Sequence, residues 1–511
     1  MLQRLTSPTL LEFAYEQIAA LFRAHAEWLH VASDGTSQSL RRDELEVAIV
    51  HKRLVLSCWT EKGNRLWRIL AWNWNGQALE LETSRRMGRD SELIQLIPRT
   101  SAKHVAATIR AARQLRCYAL AQLAAALEVQ TTIERLSLSR GTRPGQPGRH
   151  AQILLRRKRE RIAVIGPVVA SQPAIVDAFL SSSLLWFRRT ADRIKPPYVE
   201  QLWLIVSPEL LKPVLYRVSL LRGSLRSTIR VFTVDADLTL LTEENCPDKQ
   251  ELWKKKLARF PPVAAATPSE LSEAIIAEAP HAIDVVHARH GETLRYFGLP
   301  FARVRSLLGH QKVWFGIDRA HRRLLDESTL DEWQNLLRDL REHRSATALD
   351  HRHAFYRAAP EAWLESLLRR DITRLDPGLI IAPLHAQFRT ARGAKLGIRP
   401  IDLLALRQDG RLVVIELKVS EDREHVLQGA DYWRRVEAHR RRGHIAKAKL
   451  FGSRAIRDEA PLVYLVAPTL RVHPSFQTLA HCISPDIEIY RFDINEDWRS
   501  GVRVMRRHKT E

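Results

Sequence analysis

The chain has 511 residues, with 80 Lys+Arg against 58 Asp+Glu and a formal net charge of +22. At ~150 residues per domain this length predicts about three domains, and 45% hydrophobic with 27% charged residues excludes wholesale disorder and collagen-like repetition. No uncharged apolar run approaches the roughly 18 residues of a membrane span, Met1 to Phe13 lacks the apolar stretch of a signal peptide, and Cys58, Cys117, Cys246 and Cys482 stand far apart without a C-x-x-C, which argues against a disulfide scaffold or zinc finger and predicts a reducing cytoplasm.

The excess of positive charge predicts a polyanionic partner, nucleic acid first. A basic surface on an Arg-rich protein accounts for it equally well. Along the chain, Leu10, Leu11, Phe13, Ile18, Leu21 and Phe22 give residues 1–35 an amphipathic helical pattern. Residues 44–98 then change period, and Gly63-Asn64 and Asn75-Gly76 punctuate them as a β-rich meander. A helix is predicted at about 103–127. Gly141 to Gly148 (GTRPGQPG) reads as a linker, because Gly and Pro interrupt both regular structures. Beyond it, strands at Ile162 to Val169, Leu202 to Val206 and Ile229 to Val234 alternate with helices at Ala174 to Arg189 and Glu209 to Leu221, an α/β layer. Neither G-x-G-x-x-G nor G-x-x-x-x-G-K-[ST] occurs there, so no nucleotide cofactor is indicated. Residues 262–345 read as mainly helical. The resulting division is 1–140, 150–260, a helical connector at 262–350, and 351–511.

The last segment carries the chemistry. A helix from Glu361 to Ile372 is stopped by Asp376-Pro377-Gly378. Strands are predicted at about 379–389, 400–407 and 411–419, a helix from about Glu424 to Arg442, and strands at Leu462 to Ala467 and Ile487 to Phe492. The order is α-β-β-β-α-β. Asp402 lies in one apolar strand. Glu416 and Lys418 lie in the next, two residues apart and so on one face. A carboxylate and an ammonium inside LVVIELKV are costly unless paired or bound to an ion. A buried Glu–Lys pair on an ordinary strand is the plain reading. Asp402, 14 residues upstream across an Asp-Gly hairpin, and a preceding helix with Glu361 and Glu365 favour a site instead. Oxygen ligands suit Mg²⁺ or Mn²⁺.

With these residues in place, the segment at about 355–500 resembles the PD-(D/E)xK superfamily, the fold of restriction endonucleases, Holliday-junction resolvases and many repair nucleases. The resemblance implies a restriction-endonuclease-like αβββαβ core within a mixed α/β, multidomain chain, and a divalent-metal phosphodiesterase. By position, Asp402 and Glu416 would be the metal-binding acids and Lys418 the catalytic lysine. Glu361, in E-x-x-L-x-x-L-L, would be the helical glutamate that completes the metal shell, with Glu365 one turn on as the second choice. Gln428 and Tyr432, in QGADY, match the Q-x-x-x-Y helix of the RecB-like branch and would orient the site or the substrate; a polar helix edge packed on a sheet explains them as well. The motif Pro400-Ile401-Asp402 departs from the pattern by one residue between proline and aspartate.

Arg434, Arg435, Arg440, Arg441 and Arg442 continue that helix. They would neutralise phosphates beside the site, or simply complement a helix C-terminus. The expectation is therefore a Mg²⁺-dependent endonuclease acting on DNA ahead of RNA, with a homodimer or successive nicks needed to cut both strands. The alternative is a nuclease-like fold that binds nucleic acid or recruits partners without cutting, in repair or defence. Three weaker signals remain. Trp59, Trp67, Trp72 and Trp74, interleaved with Arg65, Arg68, Arg85, Arg86 and Arg89, read first as sheet core and second as a base-stacking surface. Arg156 to Arg161 reads as a basic exposed loop, and His351-x-His353 as solvent-exposed histidines.

Overall fold

The structure is a computed structural model. It describes residues 2–31, 37–60, 63–85, 90–99, 102–140, 147–169, 176–193, 196, 198–253, 267–288, 291–307, 310–318, 322–382 and 401–510. Arg86, Arg89, Pro400 and most of the strand expected to reach residue 389 lie outside these. The architecture is mixed α/β, with four sheets. The chain divides into two compact units. One comprises Met1–Gln172, Phe187–Lys212 and Thr228–Asn245, the other Pro173–Trp186, Pro213–Ser227 and Cys246–Glu511. Among the described residues no helix is long and apolar enough to cross a membrane.

The first unit opens with an eight-stranded antiparallel sheet. Helix Pro8–Ala24 buries Ala14, Ile18 and Phe22 against it. Ser7 caps that helix by accepting the Leu10 N–H at 3.3 Å, and Pro8 fills the first turn. Asn75-Gly76 closes the hairpin expected there. The Asn75 side chain accepts from the N–H groups of Gln77 and Ala78, and Gly76 supplies a φ of +84°. Trp67 and Trp72 are core, as the simpler reading held, whereas Trp59 is exposed.

A second, six-stranded sheet follows, with Glu160–Pro167, Val199–Val206 and Ile229–Val234 parallel at its centre. Of the predicted linker, residues 141–146 lie outside the described residues. The strands on either side, Thr131–Arg140 and Pro147–Arg157, pair antiparallel in this one sheet, Arg140 opposite Pro147. Helix Ala102–Ala126 belongs to the same sheet, burying Cys117, Leu120 and Ala121 on it.

The second unit contains the larger correction. Residues 262–350 are not mainly helical. Strands Ile283–Ala288, Gly291–Tyr296, Leu299–Leu307, His310–Phe315 and Arg323–Leu324 form an antiparallel meander between helices Glu270–Ala277 and Leu330–His343. Leu294 and Tyr296, and then Val313 and Phe315, alternate into one core with Trp333 and Leu337 of the second helix. Phe297 and Gly298 both take positive φ in the tight turn joining Tyr296 to Leu299.

The C-terminal domain is built from α1 (Pro360–Arg370), β1 (Leu379–Ile381), β2 (Leu403–Arg407), β3 (Leu412–Leu417), α2 (His425–Arg441), β4 (Leu462–Pro468), β5 (Ile489–Ile494) and β6 (Val504–Lys509). The strands lie in that order in one sheet. β1, β2 and β3 are antiparallel, β3, β4 and β5 parallel, and β6 antiparallel at the edge. Strand parity divides the side chains. Leu403, Ala405, Val413, Ile415 and Leu417 face α1 through Trp363, Leu364 and Leu368. Leu404, Leu406, Leu412 and Val414 face α2 through Tyr432 and Val436. Gly429 lets α2 sit close, since a Cβ there would lie 2.6 Å from the Leu465 side chain.

The meander is keyed into α1. Buried Arg344 donates to the carbonyls of Tyr296, Phe297, Phe355 and Ala358 at 2.7–2.8 Å and lies over the Trp363 ring. Gly298, at φ +79°, packs so tightly that a Cβ would fall 1.9 Å from the Ala362 carbonyl oxygen. Gly298→Ala is accordingly expected to cost about 2 kcal/mol or more, strain plus clash. Gly452→Ala is the control: its φ is +65° but nothing lies within 4 Å of the added Cβ, so about 1 kcal/mol is expected. Urea titration of both variants measures the difference, and equal losses would contradict this packing argument.

Candidate active site

Leu403 and Ala405 of β2 face α1 and Leu404 and Leu406 face α2; Asp402 precedes the strand in a bend, next to an Ile401 that also packs on the α2 side, and its charge acts on Tyr432 and feels that of Glu416. In β3 the same alternation puts Glu416 and Lys418 on the α2 side. The three side chains meet there. Asp402 Oδ2 accepts the Leu417 N–H at 2.8 Å, which ties the head of β2 to the end of β3. Lys418 Nζ donates to Glu416 Oε1 at 2.5 Å and stands 3.8 Å from Asp422 Oδ2. The Glu416 carboxyl stands within hydrogen-bond reach of the Asp402 carboxyl, a bond that needs a proton on one of the two acids; without that proton its buried Oε2 has no partner among the described residues.

The electrostatics follow from that crowding. Burial pushes the Asp402 carboxyl well above the usual carboxylate range, and the neighbouring Glu416 charge adds to the rise, while Lys418 opposes it. Burial raises Glu416 as well, again opposed by Lys418. Burial works against the Lys418 ammonium, but Glu416 and Asp402 outweigh it and hold the group above its ordinary value. The pair of acids and the lysine titrate as one coupled unit.

α2 supplies the roof. Gln428 and Tyr432 share one face of it and are both buried. Gln428 Nε2 donates to Glu424 at 3.2 Å, and its Oε1 is buried without a partner among the described residues. Burial raises the Tyr432 hydroxyl, and Glu416 and Asp402 raise it further, so the phenol stands near both acids as a neutral donor. Sequence reasoning missed His425. It opens α2, is buried, and places Nε2 3.2 Å from the Glu416 carbonyl oxygen. Burial and then Lys418 lower it to about 3, so the imidazole is neutral at physiological pH. The available signal was a histidine seven residues past an E-x-K strand; its burial could not be read.

The helical glutamates separate. Glu365 is close enough for its charge to raise Asp402. It is held by Arg369 Nε at 2.6 Å and Arg295 Nη1 at 3.5 Å, and Arg295 is itself clamped on Asp284. Glu361 lies one turn earlier, partly exposed, and no hydrogen bond or ion pair among the described residues joins it to the acids. The order of preference between the two is therefore reversed. Among the described residues no three His, Cys, Asp or Glu side chains converge as a metal cage. The donor set that would fit a hard divalent cation is the pair of carboxyls of Asp402 and Glu416.

The arginines are corrected more fully. Arg434 and Arg435 are not free for phosphates; both bind buried Asp431, Arg434 at 2.6 Å and Arg435 at 3.3 Å. Arg217 approaches the same carboxylate at 3.5 Å while chelating Asp177. Arg440 and Arg441 bind fully buried Glu437 at 2.6 and 2.5 Å. Arg442 donates to the carbonyls of Ala438 and Trp253. The physical reason is that α2 is buried on nearly every side, so its cations had to find internal acceptors.

No family model, no curated protein and no solved structure matches the chain.

Two stability predictions follow from these charges. The folded state holds a proton on the Asp402–Glu416 pair that the unfolded chain releases above about pH 4, so this pair lowers stability as pH rises. Asp402→Asn keeps an acceptor for Leu417 and removes the penalty. It is expected to stabilise the metal-free protein by about 1 kcal/mol, with a gain that grows from pH 4 upward in urea titrations. Asp431 has the opposite sign. Burial opposes its charge, but Arg217, Arg434 and Arg435 hold it below the usual carboxylate range. Its contribution is full above about pH 4 and fades as acid protonates it. Asp431→Asn is expected to cost about 3–5 kcal/mol at pH 7, and the gap to the parent should narrow below pH 4.

Proposed function

We propose that this chain is a divalent-metal-dependent phosphodiesterase that hydrolyses the backbone of nucleic acid, with the restriction-endonuclease-like core in residues 351–511. The observation that supports it best is the meeting of Asp402, Glu416 and Lys418 on one face of a covered sheet, two carboxyls both raised by burial beside one ammonium. An ordinary structural ion pair has no use for a second raised carboxyl beside it. The element order α-β-β-β-α-β and the Gln428/Tyr432 roof support the same reading.

In this reading Asp402 and Glu416 hold Mg²⁺ or Mn²⁺. When bound, such a cation polarises a phosphate oxygen and lowers the pKa of an attacking water. The protein groups do the rest. Lys418 stays charged through its two acidic neighbours and presents Nζ to the negative charge that grows on the phosphate. Tyr432 offers a neutral donor beside the acids, and Gln428, one turn before it on α2, leaves its amide oxygen as a buried acceptor. His425 holds the Glu416 backbone from behind, and Glu365, fixed by Arg295 and Arg369, adds negative field at the rim without binding directly.

A second reading, a nuclease-like fold that binds without cutting, is favoured by one observation: the described residues assemble no three-ligand metal group. Cleavage assays separate the two. Labelled single-stranded, duplex, flap and four-way-junction DNA, and RNA, are incubated with Mg²⁺, Mn²⁺ or EDTA. Cleavage is expected to require metal and to fall at least 100-fold in Glu416→Ala and in Lys418→Ala, with nucleic-acid binding in EDTA unchanged. Full cleavage by either folded variant would overturn the phosphodiesterase reading. Salt-sensitive binding with no cutting of any substrate would favour the second.

A further inference from the structure

We infer that strand Leu45–Val50, at the edge of the N-terminal sheet, is a self-association surface whose partner is the same strand of a second copy of this chain, antiparallel about a two-fold axis. The strand ends one side of the eight-stranded sheet. Among the described residues it pairs only with Arg53–Thr60, in unbroken register from Leu45 opposite Cys58 to Val50 opposite Arg53. Alternate N–H and C=O groups on its outer side are therefore left for a partner.

Three observations point to a second copy. The edge lacks the devices that ordinarily blunt one: LEVAIV has no Lys, no Pro and no bulge, and Ile49 and Val50 are 41% and 45% exposed. By contrast the opposite edge, Ser37–Arg41, is polar at four of its five positions, and β6 presents Arg506, Arg507, His508 and Lys509. Next, the charges flanking the strand have opposite signs. Asp43, Glu44 and Glu46 stand at its start, and Lys52 and Arg53 follow its end. Asp43, Glu46, Lys52 and Arg53 are exposed and make no ion pair among the described residues. An antiparallel copy brings the acidic start of each strand to the basic end of the other, twice over by symmetry. Nucleic acid, the partner that the net charge suggests, would meet the three acids here. Parity agrees as well. A two-fold axis normal to the sheet keeps the faces of both copies aligned, so paired residues share parity. With Ala48 on the axis, Val47 meets Ile49 on the core side and Glu44 comes beside Lys52. A pair of six-residue strands is smaller than a permanent interface, so the dimer exchanges with monomer in the micromolar range.

Self-association needs neither cation nor substrate, so its outcome is separate from that of the phosphodiesterase reading. The full chain, freed of nucleic acid, is followed by sedimentation equilibrium in EDTA, and thermal melting establishes that each variant is folded. A monomer–dimer equilibrium is expected, and Ile49→Lys, which sets a charge on the exposed edge, is expected to weaken it at least about tenfold. Asp43→Lys with Glu46→Lys turns the flanks mainly basic, and Lys52→Glu with Arg53→Glu turns them acidic. Each of these two chains alone is expected to stay monomeric where the parent is dimeric, and an equimolar mixture to form a heterodimer. A parent that stays monomeric up to about 100 μM, a dimer that Ile49→Lys leaves intact, or charge variants that associate no better mixed than alone would each overturn the inference.

Discussion

Glu416 sits in the middle of a sheet strand with a helix laid over it, and that single burial sets the terms for the C-terminal domain. A carboxylate there loses its water, so the strand must supply a counter-charge on the same face. Period-two geometry allows that only at positions 414 or 418, and Lys418 takes the place. Asp402 then arrives on the same face by the register of the β2–β3 hairpin and is anchored by the Leu417 N–H. Burial is the main reason both carboxyls resist ionisation; Glu416 adds to the rise at Asp402, and Lys418 opposes it at both. A close-packed structural core would have little reason to keep such an arrangement.

The same constraint explains α2. A helix covered on nearly every side has no water for its arginines, so each was matched to an internal acceptor. Asp431 gathers Arg434, Arg435 and Arg217; Glu437 gathers Arg440 and Arg441. Paired buried charges contribute little net stability, but their geometry is demanding. They fix the rotation of α2 about its axis. That rotation decides whether Gln428 and Tyr432 look down on the acids or away from them. Gly429 fixes the remaining freedom, the height of the helix above β4.

Legibility in the sequence followed physical locality. The C-terminal order could be read because each element has a clean period, and because E-x-K parity is a property of any strand. The tight turn at Asn75-Gly76 was readable for the same reason. The 283–324 meander was not, since its alternation is interrupted by charged residues and its decisive turn, Phe297-Gly298, has no Asn or Asp to announce it. Gly and Pro mark hairpin loops and domain joints alike, so the composition around Gly141 could not announce that Arg140 and Pro147, on either side, pair in one sheet. Within the site, residue types were legible and partners were not. Arg434 and Arg435 read as surface charge until Arg217, far off in sequence, appeared beside Asp431. His425 could not be told from a solvated histidine without knowing that a carbonyl and an ammonium lie against it.

The charge balance carries one more step. Part of the α2 arginine charge is paired with Asp431, Glu437 and Asp458, and further basic residues stand exposed elsewhere on the chain. Exposed Arg4, Arg65 and Arg68 belong to the N-terminal sheet, and β6 presents Arg506 and Arg507 at an open sheet edge. Charges of this kind act over a Debye length of roughly 8–10 Å and raise encounter rates without choosing a sequence. Under the phosphodiesterase proposal, capture of the polyanion would fall to such surface cations and the chemistry to the buried acids, where a divalent cation held by Asp402 and Glu416 would supply the positive charge that a phosphate needs to approach.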